Sequence, residues 1–358
     1  MFGVDKMLLE TCRKHNITYL KSIGCPLCKQ EQVKSLEDIK PEQRLRTPSD
    51  LDIPVHIVCP PIFQEIYVDN NIYMEELDEK TKSKFSIDTL FRQWYDFVSV
   101  LSQYALVLTL PPNPTLQDEV WVNQAVYLPH VGEPTCVISN FKAEGRQPES
   151  DIMEWFLQEM GYKTYRIPKP DWYFESPDLK WLRDNIYIAG YGERTTEEAL
   201  DWIAEKFDCN IIKLSHTDDY LYHGDTCFCV LAPDKVIAVI PSCDKKQLKI
   251  LEKYAEVIPI EDKRLGEYCI TNNVVVGYTI MAGTYIDIFE PDSEDWLIEM
   301  KKIEKLQEIS VNYGYDLLLF EIGQFLFEGA ALSCVITCLN YADRQSMEFW
   351  SETTNGKK

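Results

Sequence analysis

Positive charge is what this sequence lacks most. Its 36 lysines and arginines face 58 aspartates and glutamates, for a formal net charge of −22. A deficit of that size leaves no basic footprint for a phosphate backbone, which argues against nucleic acid as a partner. A negative field favours small cations instead. Long apolar runs are also missing. The most apolar stretch, Leu317 to Leu339, is interrupted by Glu321, Gln324 and Glu328, too often for a membrane span. No N-terminal segment joins a basic start to an apolar core and a small-residue cleavage site, so no secretory leader is expected. No glycine-rich loop of the GxGxxG or GxxxxGK kind follows an early strand, which removes nucleotide binding as the default. The 12 cysteines are scattered rather than concentrated in a dense framework, so a reduced, cytoplasmic, soluble protein is expected. Its length allows one large domain or two ordinary ones, with ample apolar content for a core.

Residues 1–50 differ in texture from the rest of the chain. Cys12, His15, Cys25 and Cys28 have the spacing C-x2-H-x9-C-x2-C, four candidate ligands for a structural zinc in a small N-terminal cap. The alternative is a helical cap with buried cysteines. From there to Leu51 the chain is charged and punctuated by proline, like a linker or surface segment. From Pro54 on, strands and helices alternate. Val55–Cys59, Ala105–Leu110, Glu119–Leu128, Thr135–Ser139 and Lys163–Ile167 read as strands, and Ser86–Ala105 and Ser150–Met160 as helices. Further strands are expected near Ile186, Ile211, Cys227, Val236, Val257, Val274 and Leu317. Helices are expected at Thr196–Phe207, Lys245–Ala255 and Trp296–Ile309. A strand pair, a helix and a strand recur about every forty to fifty residues, which suggests a repeat architecture. An open doubly wound sheet would show the same alternation. Residues 51–345 form this body, and 346–358 a polar tail.

Three stretches carry candidate chemistry. Phe325 to Cys334 reads as an apolar, strand-like run leading into a small-residue turn that delivers a thiol. Cys334 is either a nucleophile or one more buried cysteine. Tyr222-His223-Gly224-Asp225-Thr226-Cys227 stands at the entrance to an expected strand. Residues two apart on extended backbone share a face, so His223 and Asp225 are expected side by side, one shuttling protons and the other binding a cation. Of the other four histidines, His15 falls in the cap, His56 in a strand, and His130 and His216 in turns. Phe174-Glu175-Ser176-Pro177-Asp178 offers two carboxylates, either as turn residues or to orient the imidazole and pair with a cation.

Together these stretches resemble the pentein superfamily, in its branch of dimethylarginine dimethylaminohydrolases and amidinotransferase-like proteins. Cys59-Pro60-Pro61, Tyr67 and Asn70 to Met74 resemble that family's opening segment, and Gln93-Trp94 its following helix. Gln117 to Ala125 resembles its LPDxVFxxNAG stretch, and Asn140-Phe141 with Arg146 and Glu149 its arginine-bearing turn. Phe174-Glu175 with Asp178 resembles FEGxGD, and Gly190-Tyr191-Gly192 with Arg194 resembles GYGxR. Tyr222 to Thr226 resembles YHLDT, Asn272 with Val274 to Gly277 resembles NxVVVG, and Gly329 to Cys334 resembles GGGxxC. The match runs in order from about Val55 to Asn340.

The resemblance implies an α/β fold, a five-bladed pseudosymmetric propeller with a small N-terminal extension and a central active site. It implies that Cys334 attacks an amidino carbon, that His223 protonates the leaving amine and later activates water, and that Glu175 orients His223. Asp225 and Asp178, with Asn123, Gln124 and Arg146, would bind the substrate. No catalytic cofactor is implied. The function implied is a hydrolase or deiminase of an arginine-like guanidino compound. An amidinotransferase and a non-catalytic binding module, like the ribosome anti-association factors of this fold, are the alternatives. A homodimer follows only by family analogy. The sequence departs from the family pattern at Ala330-Ala331, where glycines stand in the family. It departs again in the shortened Phe174–Asp178 turn, and at Asn123-Gln124, where hydrolytic members often place an acidic residue.

Overall fold

The computed structural model describes residues 9–11, 14, 18–20, 47–66, 69–216 and 218–344. The chain divides into two compact units, Met1–Arg46 and Thr47–Lys358. In the first, β1 (Leu9–Thr11) pairs antiparallel with β2 (Thr18–Leu20). Cys12, His15, Cys25 and Cys28, expected to hold zinc, lie outside the described residues, as does the tail from residue 345. Among the described residues no cluster of His, Cys, Asp and Glu is arranged to hold a metal ion. None of their helices is long and apolar enough to cross a membrane.

The second unit begins with β3 (Val55–Val58), helix α1 (Ile87–Leu101) and β4 (Leu106–Thr109). The unit β5 (Ala125–Tyr127), β6 (Thr135–Ile138), α2 (Glu149–Glu159), β7 (Lys163–Tyr165) comes second. Next come β8 (Leu179–Arg183), β9 (Ile186–Gly192), α3 (Glu197–Phe207) and β10 (Asn210–His216). After them stand β11 (Phe228–Ala232), β12 (Lys235–Val239), α4 (Lys245–Leu251) and β13 (Glu256–Ile260). The last repeat is β14 (Val274–Val276), β15 (Thr279–Thr284), α5 (Glu294–Tyr313) and β16 (Asp316–Glu321), and β17 (Thr337–Asn340) ends the series. The strands form five three-stranded sheets: β17-β3-β4, β5-β6-β7, β8-β9-β10, β11-β12-β13 and β14-β15-β16. In each, the first pair is antiparallel and the helix crossover returns a parallel third strand. This is the expected strand pair, helix, strand unit, repeated around a ring. The first sheet is made from both ends of the body, with Thr337 opposite Ile57 and Cys338 opposite His56.

Burial falls from the inside of each sheet outward. The middle strands β6 and β15 are buried throughout, whereas the third strands β7, β13 and β16 are largely exposed or half-buried. The helices close the outer faces. In α1, Leu90, Trp94, Phe97 and Leu101 recur at helical spacing on one buried stripe, and the Ser86 side chain caps the first turn by accepting from Thr89 N. Each such apolar side chain contributes roughly 1.5–3 kcal/mol of burial. At the other end of the ring, α5 is capped by Ser293 and stops at Gly314, whose φ of 73° is the left-handed conformation that ends a helix.

Three local expectations are corrected. Glu119–Leu128 is not one strand. Residues 118–121 turn, with the Glu119 carboxylate accepting from Asn113 N, and only Ala125–Tyr127 is extended. The run Phe325–Leu326 is a helical turn (Gly323–Leu326) rather than a strand. It ends as helices commonly do: Gly329 has φ 62°, Gly329 N bonds Leu326 O, and Ala330 N reaches back to Phe325 O at 3.1 Å. Finally, Gly224–Cys227 is a helical turn placed before β11, not part of a strand.

Candidate functional site

The elements that reach the centre of the ring are the turns just before the inner strands. The turn before β8 carries Glu175, the turn before β11 carries His223, and the turn Leu332–Val335 before β17 carries Cys334. All three line one cavity. The His223 Nε2 atom lies 2.7 Å from Glu175 Oε2, and both groups are buried. Lys142 N donates to the other carboxylate oxygen at 3.1 Å, and Arg194 lies 3.8 Å from it. Burial pushes the Glu175 carboxyl upward. The hydrogen bond and charge of His223, with Arg194 and Arg146 beyond, outweigh that push and hold it down at about 2.

Cys334 is half-buried, and Asn272 Nδ2 donates to its Sγ at 3.4 Å. The same Asn272 accepts from Ser333 N at 2.9 Å, so one side chain fixes the thiol turn at two points. Burial, and after it the charge of Asp225, push the thiol up to about 12, so the resting group is a protonated thiol. The alanines that replace family glycines fit the backbone. Ala331 is extended at φ −143°, a conformation any residue adopts, and Ala330 is absent from the positive-φ positions. The one glycine this turn requires is Gly329, where a Cβ would come within 2.5 Å of the Tyr73 ring.

The remaining candidates fall in different places. Asp178 is fully buried and outside the cavity lining. Its Oδ1 accepts from Gly224 N at 2.6 Å and its Oδ2 from Thr195 Oγ1 at 2.5 Å, so it pins the turn that carries His223. Asp225 does not share a face with His223, as extended backbone would have required, because Gly224–Cys227 is helical. Its Oδ2 accepts from Ser333 Oγ, and it lines a second cavity. Asn123 lines both cavities. Its amide donates to Ser333 O at 3.1 Å and accepts from Ser176 Oγ at 2.8 Å. Gln124 is buried and donates to Glu149 at 2.9 Å. Arg146 does line the thiol cavity, forked onto Glu149 and bonded to Trp121 O.

Four further residues belong to this site without a role having been assigned from sequence: Asp118, Arg194, Asn272 and Glu328. The first three stand in the quoted motifs. Glu328 shows in the sequence only as a charge interrupting an apolar run beside Gly329. Its Oε2 accepts from Trp121 Nε1 at 2.7 Å and from Gln64 Nε2 at 2.5 Å. Burial, with Asp118 nearby, pushes its carboxyl well above the usual range. Arg194 bonds Asn70 O at 2.6 Å and stacks over Tyr222. The cavity wall therefore carries a thiol, a carboxylate–imidazole pair, two guanidinium groups and two further carboxyls.

This five-bladed ring of ββαβ units is the pentein fold. No protein-family model matches the chain. It is 24% identical over 280 residues to AgrE, a bifunctional arginine dihydrolase/ornithine cyclodeaminase of Nostoc sp., and 25% identical over 280 residues to ArgZ, the protein of the same description in Synechocystis sp.. Each match covers 78% of this chain and 37% of the relative, so the chain spans little more than a third of their length. Among solved structures, the N-terminal domain of ArgZ bound to product superposes with a TM-score of 0.67 at 24% identity, covering 80% of this chain and 97% of that one. A variant of that ArgZ domain, solved covalently bonded to a reaction intermediate, gives the same TM-score at 23% identity over 80% of this chain and 97% of that one. A dimethylarginine dimethylaminohydrolase adduct gives 0.60 at 17% identity, covering 80% of this chain and 99% of the other.

Proposed function

We propose that this chain is a cysteine-dependent hydrolase of an arginine-like guanidino compound. The observation that carries the reading is the 2.7 Å contact of Glu175 with His223, opening on the same cavity as the Cys334 thiol. An amidino carbon is a poor electrophile, so a covalent intermediate divides one difficult step into two. As the Sγ–carbon bond forms, His223 takes the thiol proton and passes it to the departing nitrogen, which leaves as ammonia or an amine. Water then attacks the thiouronium carbon while His223 takes its proton, the carbon–sulfur bond breaks, and the thiol is restored beside a ureido product. Glu175 holds the imidazole through Nε2, leaving the second ring nitrogen for these transfers.

The raised thiol pKa assigns a part to the substrate. A guanidinium bound against Sγ stabilises the thiolate, so binding and activation are coupled. Asp225, whose charge already reaches the thiol, adds to the field felt by that cation, and Asn123 fixes the wall behind it. Arg194, Arg146, Asp118 and Glu328 all line this cavity, so it offers guanidinium and carboxyl groups to a zwitterionic guanidino amino acid. In this reading Asp178 and Gln124 position neighbouring groups rather than touch substrate.

The test is intact-mass measurement of wild type and Cys334→Ser after incubation with arginine, methylarginines and agmatine. A covalent amidino adduct and turnover in wild type only are expected. Product recovered on an added amine rather than on water would reassign the chain as an amidinotransferase. No adduct and no turnover with any guanidine would leave a binding module.

A further inference from the structure

The second cavity is lined by residues of all five inner strands, among them Val126, Trp181, Val230, Val275 and Cys338. It therefore lies on the axis of the ring. Only a thin polar wall separates it from the thiol cavity. Ser176, Asp225 and Ser333 face the axis, while Glu175, His223 and Cys334, one or two residues away in each turn, face the thiol side; Asn123 touches both.

On the axial side of that wall two buried acceptors have no donor. Asp225 is 2% exposed. Its Oδ2 is bonded by Ser333, its Oδ1 has no hydrogen-bond partner, and it has no ion pair among the described residues. Asn273 is 7% exposed. Its Nδ2 donates to Ile270 O at 2.7 Å, which fixes the amide orientation, and its Oδ1 is likewise without a donor in a residue that lines the cavity. The turn bearing Asn273 packs on Asp225, because Thr271 Oγ1 donates to Asp225 O at 3.0 Å. A buried carboxylate without a cation is costly, and water satisfies its lone pairs without neutralising its charge. The other charges of the wall are Lys180, Asp343 and Arg344. Arg344 engages the carbonyls of Trp181 and Val230 farther along the inner strands, and Asp343 accepts from Gly277 N. One carboxylate and one amide oxygen are too few for calcium or magnesium.

We propose that the inner end of the axial cavity binds ammonium, held by Asp225 Oδ1 and Asn273 Oδ1 directly behind the nucleophile. The ligand has the N–H donors that both oxygens lack and the charge that Asp225 needs. It is also the protonated form of the ammonia that the proposed hydrolysis releases from an unsubstituted guanidine, on the other side of a wall that Asn123 spans. The binding claim rests on that hydrolysis only for its supply of ammonium.

The experiment uses catalytically inactive Cys334→Ser, so that failure of the hydrolase reading leaves the binding result intact. Thermal unfolding is followed with ammonium chloride, sodium chloride and tetramethylammonium chloride at matched ionic strength. Ammonium alone is expected to give a saturable rise in melting temperature, about 3 °C at roughly tenfold excess over Kd. The rise is expected to vanish in Cys334→Ser/Asn273→Leu. Crystals soaked in thallium(I), a heavy surrogate for ammonium, should show an anomalous peak between Asp225 and Asn273. Equal rises with all three salts, or no anomalous peak, would overturn the proposal and leave water as the occupant.

Discussion

The two cavities meet at one wall and treat a buried carboxylate in opposite ways. On the thiol side Glu175 is fully engaged by His223, Lys142 N and Arg194, and its carboxyl is held at about 2. On the axial side Asp225 is bonded at one oxygen only and has no ion pair among the described residues. A compensated carboxylate is a fixed support that aims another group. An uncompensated one is open to a ligand, and a bound cation would offset the cost of burying its charge. Turns that precede the inner strands can thus present a positioning group on one side and a binding group on the other.

The contrast is tested most severely by His223→Ala. Loss of the proton transfers proposed for His223 is expected to lower kcat by about 10²–10⁴-fold. His56→Leu, on the axial side, is expected to leave steady-state kinetics with the best guanidine substrate within about twofold, since the His56 ring makes no hydrogen bond that turnover uses.

A second effect sharpens the contrast through pH. A thiol raised to about 12 should be alkylated slowly by iodoacetamide at neutral pH, with the rate climbing as pH approaches that value. A bound guanidinium analogue of low bulk should accelerate it. For stability the sign is that of a raised acid: Cys334 favours the fold fully below the ordinary thiol value, and that contribution is lost as pH rises from there toward about 12. Glu175 behaves conversely. Its depressed carboxyl supports the fold above about 4.5, and that support is lost as pH falls toward about 2. Melting curves of wild type against Cys334→Ser at alkaline pH, and against Glu175→Gln at acid pH, check both directions.

The smallest expected effect concerns the thiol turn itself. Ala331→Gly should cost about 0.5–1 kcal/mol through added freedom of the unfolded chain and leave kcat nearly unchanged, because the native backbone there is not left-handed. Denaturant titration with parallel kinetics measures it. A large gain in kcat would show that the alanine restrains the thiol.

Much of this was legible in the sequence because the blades repeat a simple alternation. Strand pairs with apolar runs, followed by a helix with a buried stripe such as Leu90, Trp94, Phe97 and Leu101, announce themselves at each turn of the ring. Glu175, His223 and Cys334 were legible as a set because their motifs occur in order. The direction of Asp225 was not, since a four-residue helical turn reverses the inference drawn from extended backbone. The contacts of Asp178 were not legible either, because a carboxylate in a turn gives no sign of whether it faces solvent, substrate or a backbone N–H. Glu328 was invisible for a related reason: a charge in an apolar run reads as an interruption, and only the fold supplies Trp121 and Gln64 to satisfy it.

The closure of the first sheet by β17 has a kinetic meaning. Cys334 stands just ahead of the strand that pairs with β3, and its carbonyl accepts from Asn123 N at 3.1 Å, a contact between distant parts of the chain. Pairings of such long sequence separation carry the greatest loop-closure entropy and are expected to form late. Individual blades can gain secondary structure before that step, but Cys334 acquires its neighbours only when the ring is sealed. We therefore expect Cys334 to be alkylated faster in a partly folded chain than in the completed ring, where burial pushes its thiol up to about 12.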